Sequence, residues 1–138
     1  MVESKTIEIR SKIENIALVE KLVDDICEAY GVGEDYYGNI LIAMTEAVNN
    51  AITHGNKQDP DKMVVVKFVE DEDVLKFIVN DQGPGFDYEN IPDPTSPENI
   101  EKPNGRGVFL MSKLADEIEF DETGSKVELS FHYKVPVE

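Results

Sequence analysis

The sequence predicts a two-layer α/β (α+β) sandwich, a mixed, mostly antiparallel sheet with three main helices on one face. Three observations predict it. The elements run βααββ, a long loop, then αββ, so the strands come in consecutive pairs that favour antiparallel pairing. Two long segments carry apolar residues at helical spacing. The 138 residues, 41% of them apolar, suffice for one buried core and hence a single domain over 1–138.

Residues 6–10 alternate apolar and polar through Ile7 and Ile9, as a strand does. Ser11, with Glu14 three residues on, has the form of a capping box. Ile13, Ile16, Val19, Leu22, Val23 and Ile26 then recur at helical spacing until Gly31, a natural stop. Cys27 falls on this stripe and reads as core; as the only cysteine it allows no internal disulfide and no multi-cysteine metal site. A second helix is predicted over about 34–53, with Ile40, Met44, Ala47, Val48 and Ala51 as its core stripe and Gly55 closing it.

Residues 63–69 and 74–79 read as strands joined by the acidic turn Glu70-Asp71-Glu72-Asp73. Residues 81–104 show neither period and hold Pro84, Pro92, Pro94, Pro97 and Pro103. A loop of that length inside a compact domain is as a rule functional or mobile. A third helix is predicted over about 106–115. Residues 117–121 and 126–133 alternate as strands around the turn Glu122-Thr123-Gly124-Ser125.

Thirteen basic against 29 acidic residues give a net charge of −16. That argues against nucleic acid as a direct ligand, which needs a basic footprint. It suits a basic protein partner, and equally a merely solvated acidic surface. No apolar run reaches the roughly 20 residues of a membrane-spanning helix. The start, Met1-Val2-Glu3-Ser4-Lys5, lacks the pattern of a signal peptide. The expectation is a soluble cytoplasmic protein without membrane contact.

Three segments carry candidate chemistry. In Thr45-Glu46-Ala47-Val48-Asn49-Asn50, Glu46 and Asn50 share a helix face about one turn apart, beside the apolar stripe. A carboxylate there can accept a proton, and an amide oxygen can coordinate Mg²⁺ without adding charge. In Asn80-Asp81-Gln82-Gly83-Pro84-Gly85-Phe86, a carboxylate at a strand end precedes two glycines that let the backbone approach a ligand closely. That carboxylate can accept a hydrogen bond from an exocyclic amine. Gly105-Arg106-Gly107-Val108-Phe109-Leu110 opens the third helix, where free amides make an anion site. Taken singly, the three are equally a solvated pair, a strand-ending turn and a helix start.

Together, in this order and context, they resemble the N box, G1 box and G2 box of the histidine-kinase-like (GHKL) ATPase superfamily. Gly124-Ser125-Lys126-Val127-Glu128-Leu129 looks like the family's last motif, with Ser125 where Thr is usual. The resemblance spans 6–133. Within the superfamily the chain is similar to the small bacterial anti-sigma factor serine/threonine-protein kinases. The resemblance implies ATP and Mg²⁺ as cofactors and an ATP lid at about 87–104. It implies that Asn50 binds Mg²⁺ and that Asp81 holds the adenine amino group. Gly83 and Gly85 would shape the pocket, Gly105 and Gly107 would offer amides to the phosphates, and Glu46 would be the catalytic base. Arg106, Asn49 and Lys102 are candidate phosphate contacts, and Ser125 completes the ATP set. His54, in the last turn of its helix, reads as a C-terminal cation or packed ring.

The implied function is phosphorylation of an anti-sigma factor antagonist, with a sigma factor as second client and transcription regulated by partner switching. No helical hairpin bearing a phosphoacceptor histidine precedes the domain, so histidine autophosphorylation is not expected. No second domain follows, so neither is a standalone ATP-driven clamp. The alternatives are a non-catalytic, ATP-gated binding module and a slow ATPase. The resemblance also raises a homodimer, although no exposed apolar stripe in the sequence marks its interface.

Overall fold

The computed structural model describes residues 3–83, 111–121 and 125–133. Its elements are β1 (Glu3–Arg10), a 3-10 turn (Ile13–Asn15), α1 (Ile16–Ala29), α2 (Glu34–Asn50) and a π-helical turn (Ala51–Gly55). Then come β2 (Met63–Asp71), β3 (Val74–Asn80), β4 (Glu117–Phe120) and β5 (Lys126–His132). Residues 111–114 form a further helical turn. The strands make one sheet in the order β1-β2-β3-β5-β4.

The expected α+β sandwich is present, and every pairing among the described residues is antiparallel. The pairings expected to be mixed are therefore uniform. Two helices separate β1 from β2, so the chain reverses three times, an odd number, and β2 returns antiparallel to β1.

One face of the sheet supplies the core. Ile9, Val64, Val66, Phe68, Leu75, Phe77, Val79, Val127, Leu129 and Phe131 alternate along their strands and are all buried. Lys67, Lys76, Glu119 and Glu128 take the other face. Phe68 stands opposite Phe77, with ring centroids 5.3 Å apart. Phe131 meets the same Phe77 ring edge-on at 6.0 Å, and Tyr30 covers Phe68 at 5.7 Å. Each such pair adds about 0.5–1.5 kcal/mol beyond the area it buries. Against this face pack Val19, Leu22, Val23, Ile26 and Cys27 of α1 and Ile40, Ala43, Met44, Ala47 and Val48 of α2. Burial, helped by Asp24, pushes the Cys27 thiol up to about 11. It is a protonated core side chain, as its place on the stripe implied.

The helix boundaries differ from the sequence reading at two places. Ser11 makes no capping box. Its hydroxyl is buried and donates to the Lys62 carbonyl at 2.7 Å, while Lys12 is the residue before the first helical turn. The 3-10 turn that follows leaves Ile13 44% exposed, off the core stripe that it was expected to join. The second helix stays α-helical only to Asn50 and continues as the π turn to Gly55. Gly31 ends α1 as expected: its φ of +64° lets the Val32 amide reach back to the Cys27 carbonyl at 2.9 Å.

The β2–β3 turn is tighter than expected. Glu70 and Asp71 remain in the ladder, and Glu72 and Asp73 alone turn the chain, at φ 46° and 69°. Residues 111–114 belong to the expected third helix. Its start, the proposed lid at 87–104 and residues 122–124 lie outside the described residues. Among the described residues, no helix is long and apolar enough to cross a membrane.

Candidate functional site

The end of β3 meets the end of the helical layer, and Asp81, Gly83 and Ser125 gather there with Gly55. Asp81 follows β3 directly, and its amide donates to the Ser125 carbonyl at 2.9 Å. Ser125, a predicted site residue, is thereby held beside Asp81 at the entry to β5. From the helical side comes the π turn. The Asn56 amide reaches the Ala51 carbonyl, five residues back, at 2.8 Å. Single π turns of this kind are frequent at functional sites.

The last residue of that turn, Gly55, packs against Asp81 and Gly83 with no room to spare. A β-carbon on Gly55 would come closer than 3.0 Å to both carboxylate oxygens of Asp81. One on Gly83 would overlap the Gly55 carbonyl. Gly83 was expected to shape the pocket. Gly55 was read only as a helix stop, because nothing local in the sequence points to a neighbour 26 residues away.

Asp81 is half-buried, and Oδ1 accepts from the Gly83 amide at 2.8 Å. Burial raises its carboxyl above the usual carboxylate value; the Gly83 amide and Lys62 pull it down, and Asp121 pushes it up. The balance is upward. A partly desolvated acceptor of this kind forms a stronger hydrogen bond with a ligand donor than one in open water.

Behind Asp81 lies a buried amide that the sequence reading passed over. Asn56 is 1% exposed. Its Oδ1 accepts from the Gln82 amide at 2.7 Å. Its Nδ2 donates to the Ser11 hydroxyl at 2.8 Å and to the Met63 carbonyl at 3.0 Å. The Met63 amide in turn donates to Gln82 Oε1 at 2.6 Å. An Asn just after a glycine reads locally as a helix end, and its partners are distant in sequence.

On α2, Glu46 and Asn50 lie one turn apart with half-buried side chains, as expected. Asn50 immediately precedes the π turn. Asn49 accepts from the Thr53 hydroxyl at 3.3 Å, and His54 sits half-buried in the last turn. Among the described residues, no three His, Cys, Asp or Glu side chains converge on a metal position. Gly85, Lys102, Gly105, Arg106 and Gly107 lie outside the described residues. A cleft of about 100 Å³ on the outer sheet face, lined by Lys76, Glu117, Glu119, Glu128 and Ser130, is too small and too acidic for a nucleotide.

Comparison with known proteins gives these matches. The histidine kinase-like ATPase domain matches over residues 9–131. The serine-protein kinase RsbW of Bacillus cereus (strain Q1) is 30% identical over 123 residues, covering 85% of this chain and 76% of that protein. RsbW of Bacillus anthracis (strain CDC 684 / NRRL 3495) is 29% identical over the same length and coverage. A crystal structure of the RsbU and RsbW domains of Rv1364c from Mycobacterium tuberculosis aligns with a TM-score of 0.70 at 17% identity. That alignment covers 99% of this chain and 34% of the other, and at that identity it speaks to the fold.

Proposed function

The chain belongs to the histidine kinase-like ATPase family, and from that premise we propose that it is a serine/threonine-protein kinase acting by partner switching. The observation that carries the reading is the half-buried Asp81 carboxylate, set between two glycines that admit no side chain. It accepts a hydrogen bond from the exocyclic amine of adenine. The Ser125 carbonyl holds the Asp81 amide, and the family resemblance implies that Gly85, Gly105, Arg106 and Gly107 serve the nucleotide.

Asn50 offers the neutral oxygen that Mg²⁺ takes alongside phosphate oxygens. When bound, Mg²⁺ neutralises charge on the transferred phosphoryl group. One turn earlier, Glu46 accepts the proton of an attacking Ser or Thr hydroxyl. The new bond from that oxygen to the γ-phosphorus forms as the bond to the β–γ bridging oxygen breaks, and ADP leaves. The acceptor is an anti-sigma factor antagonist and the second client a sigma factor. Nucleotide state biases which is held, and transcription follows. Relatives named serine-protein kinases support this assignment. The net charge of −16 suits a client with a basic surface, and the setting is the cytoplasm.

The test is to incubate the purified chain with γ-labelled ATP, Mg²⁺ and an antagonist protein. Label on a Ser or Thr of the antagonist supports the kinase. Nucleotide binding without transfer leaves an ATP-gated binding module, and release of phosphate with no labelled protein leaves a slow ATPase.

A further inference from the structure

We infer that Asn56 is a positioning residue for purine selection: from one buried side chain it fixes the Gln82 amide, the Ser11 hydroxyl and the Met63 carbonyl, and so sets where Asp81 presents its carboxylate.

Gln82 is the residue after Asp81, so the bond from the Gln82 amide to Asn56 Oδ1 fixes the peptide that leaves Asp81. The peptide that enters Asp81 is already fixed by the Ser125 carbonyl. Asp81 is thus clamped on both sides, by a strand partner on one and by Asn56 on the other. Asn56 is also the residue after Gly55, whose bare Cα faces the same carboxylate. One side chain therefore holds both walls of the gap around Asp81.

The hold extends to the sheet. Asn56 Nδ2 bridges Ser11, just past β1, and Met63, the first residue of β2. The Gln82 side chain closes the ring by accepting from the Met63 amide. A single buried amide that satisfies three partners in three other segments is costly to disturb and admits one arrangement. Asn suits this place because it accepts and donates at once, as no aliphatic or carboxylate side chain of its size does.

The inference rests on the reading that Asp81 accepts from the exocyclic amine, and the experiment separates the two. Affinity is measured for ATP and for purine riboside triphosphate, which lacks that amine, and the ratio is read. The wild-type chain should favour ATP about tenfold, the worth of one hydrogen bond to a charged group. Asp81→Ala, which removes the acceptor, should bring the ratio to about one, and Asn56→Ala should bring it to within about twofold of one. Ser11→Ala, which removes one of Asn56's partners, should lower it about two- to threefold. A wild-type ratio near one, or a ratio unmoved by Asp81→Ala, sinks the Asp81 reading and this inference with it. If Asp81→Ala abolishes the preference while Asn56→Ala weakens both nucleotides equally, Asn56 is structural only and the inference alone fails. Should Asn56→Ala not fold, Ser11→Ala decides: a ratio at least about twofold lower sustains the inference, and an unchanged ratio overturns it.

Discussion

Gly55 presents a bare Cα to the carboxylate of Asp81, and the carboxylate oxygens stand where a β-carbon would be. A backbone position from the helical layer and a side chain from the sheet thus share one van der Waals gap. The contact couples packing to chemistry, because anything that fills the gap must push the carboxylate out of place.

Gly55→Ala should therefore lower stability by about 1–3 kcal/mol, the cost of overpacking, and weaken ATP binding about tenfold or more. Gly38 is the contrast. It lies inside α2, and a β-carbon there would meet nothing within 4 Å. Gly38→Ala should raise stability by about 0.5–1 kcal/mol through helix propensity and leave nucleotide affinity unchanged. Thermal melts and calorimetric titration of the two variants check both.

Asp81 carries a carboxyl held above its ordinary value, mainly by burial. Between its unfolded and folded values the native state binds more protons, so its contribution to stability falls as pH rises through that window. At neutral pH the ionised form is thus a cost to the empty protein. Asp81→Asn should raise the melting temperature of the nucleotide-free chain at neutral pH while it weakens ATP binding. The preference for ATP over purine riboside triphosphate, a ratio in which phosphate titration cancels, should fade on acidification through the raised carboxyl value. It should be flat with pH in Asp81→Asn. A variant no more stable than the wild type would contradict the burial account.

The β2–β3 turn places Glu72 and Asp73 in the left-handed region, where a side chain costs about 1–2 kcal/mol per residue. The double change Glu72→Asn, Asp73→Gly matches the preference of such two-residue turns. It should raise stability by about 1 kcal/mol, read from the urea midpoint, with no change in nucleotide affinity.

Glu46→Gln keeps the size and polarity of the side chain and removes the base. Phosphoryl transfer to an antagonist should fall about 10²-fold or more, while ATP affinity stays within about twofold. Transfer at the wild-type rate would remove Glu46 from the chemistry.

Much of this was legible in the sequence. Period-two alternation gave β2, β3 and β5, and the apolar stripes gave the buried faces of α1 and α2, because these patterns are set by burial along one element. Asp81 and Gly83 were singled out because their motif lies within a few residues of a strand end, and Ser125 because its segment resembles a family motif. Ser11, Gly55 and Asn56 were misread or passed over for the opposite reason. Ser11 sits in a local pattern for a helix cap, yet its partners are Lys62 and Asn56. Gly55 resembles a helix stop, yet what requires it is Asp81. Where a residue's partner comes from another layer, local spacing names the residue type and not its task.

The π turn bears on the length of the chain. It holds one residue more than the α-helical hydrogen-bond ladder would between Ala51 and the amide that closes it. Removing any residue from 51–55 would let the ladder return to α-helical bonding. Everything beyond would then rotate by about 100° and draw back by about 1.5 Å. Gly55 would turn away from Asp81, and Asn56 would lose Gln82, Ser11 and Met63 together. Thr53 and His54, neither of them buried, should therefore accept exchanges that leave the count alone, while the segment should accept no deletion: here the number of residues is itself a determinant of the site.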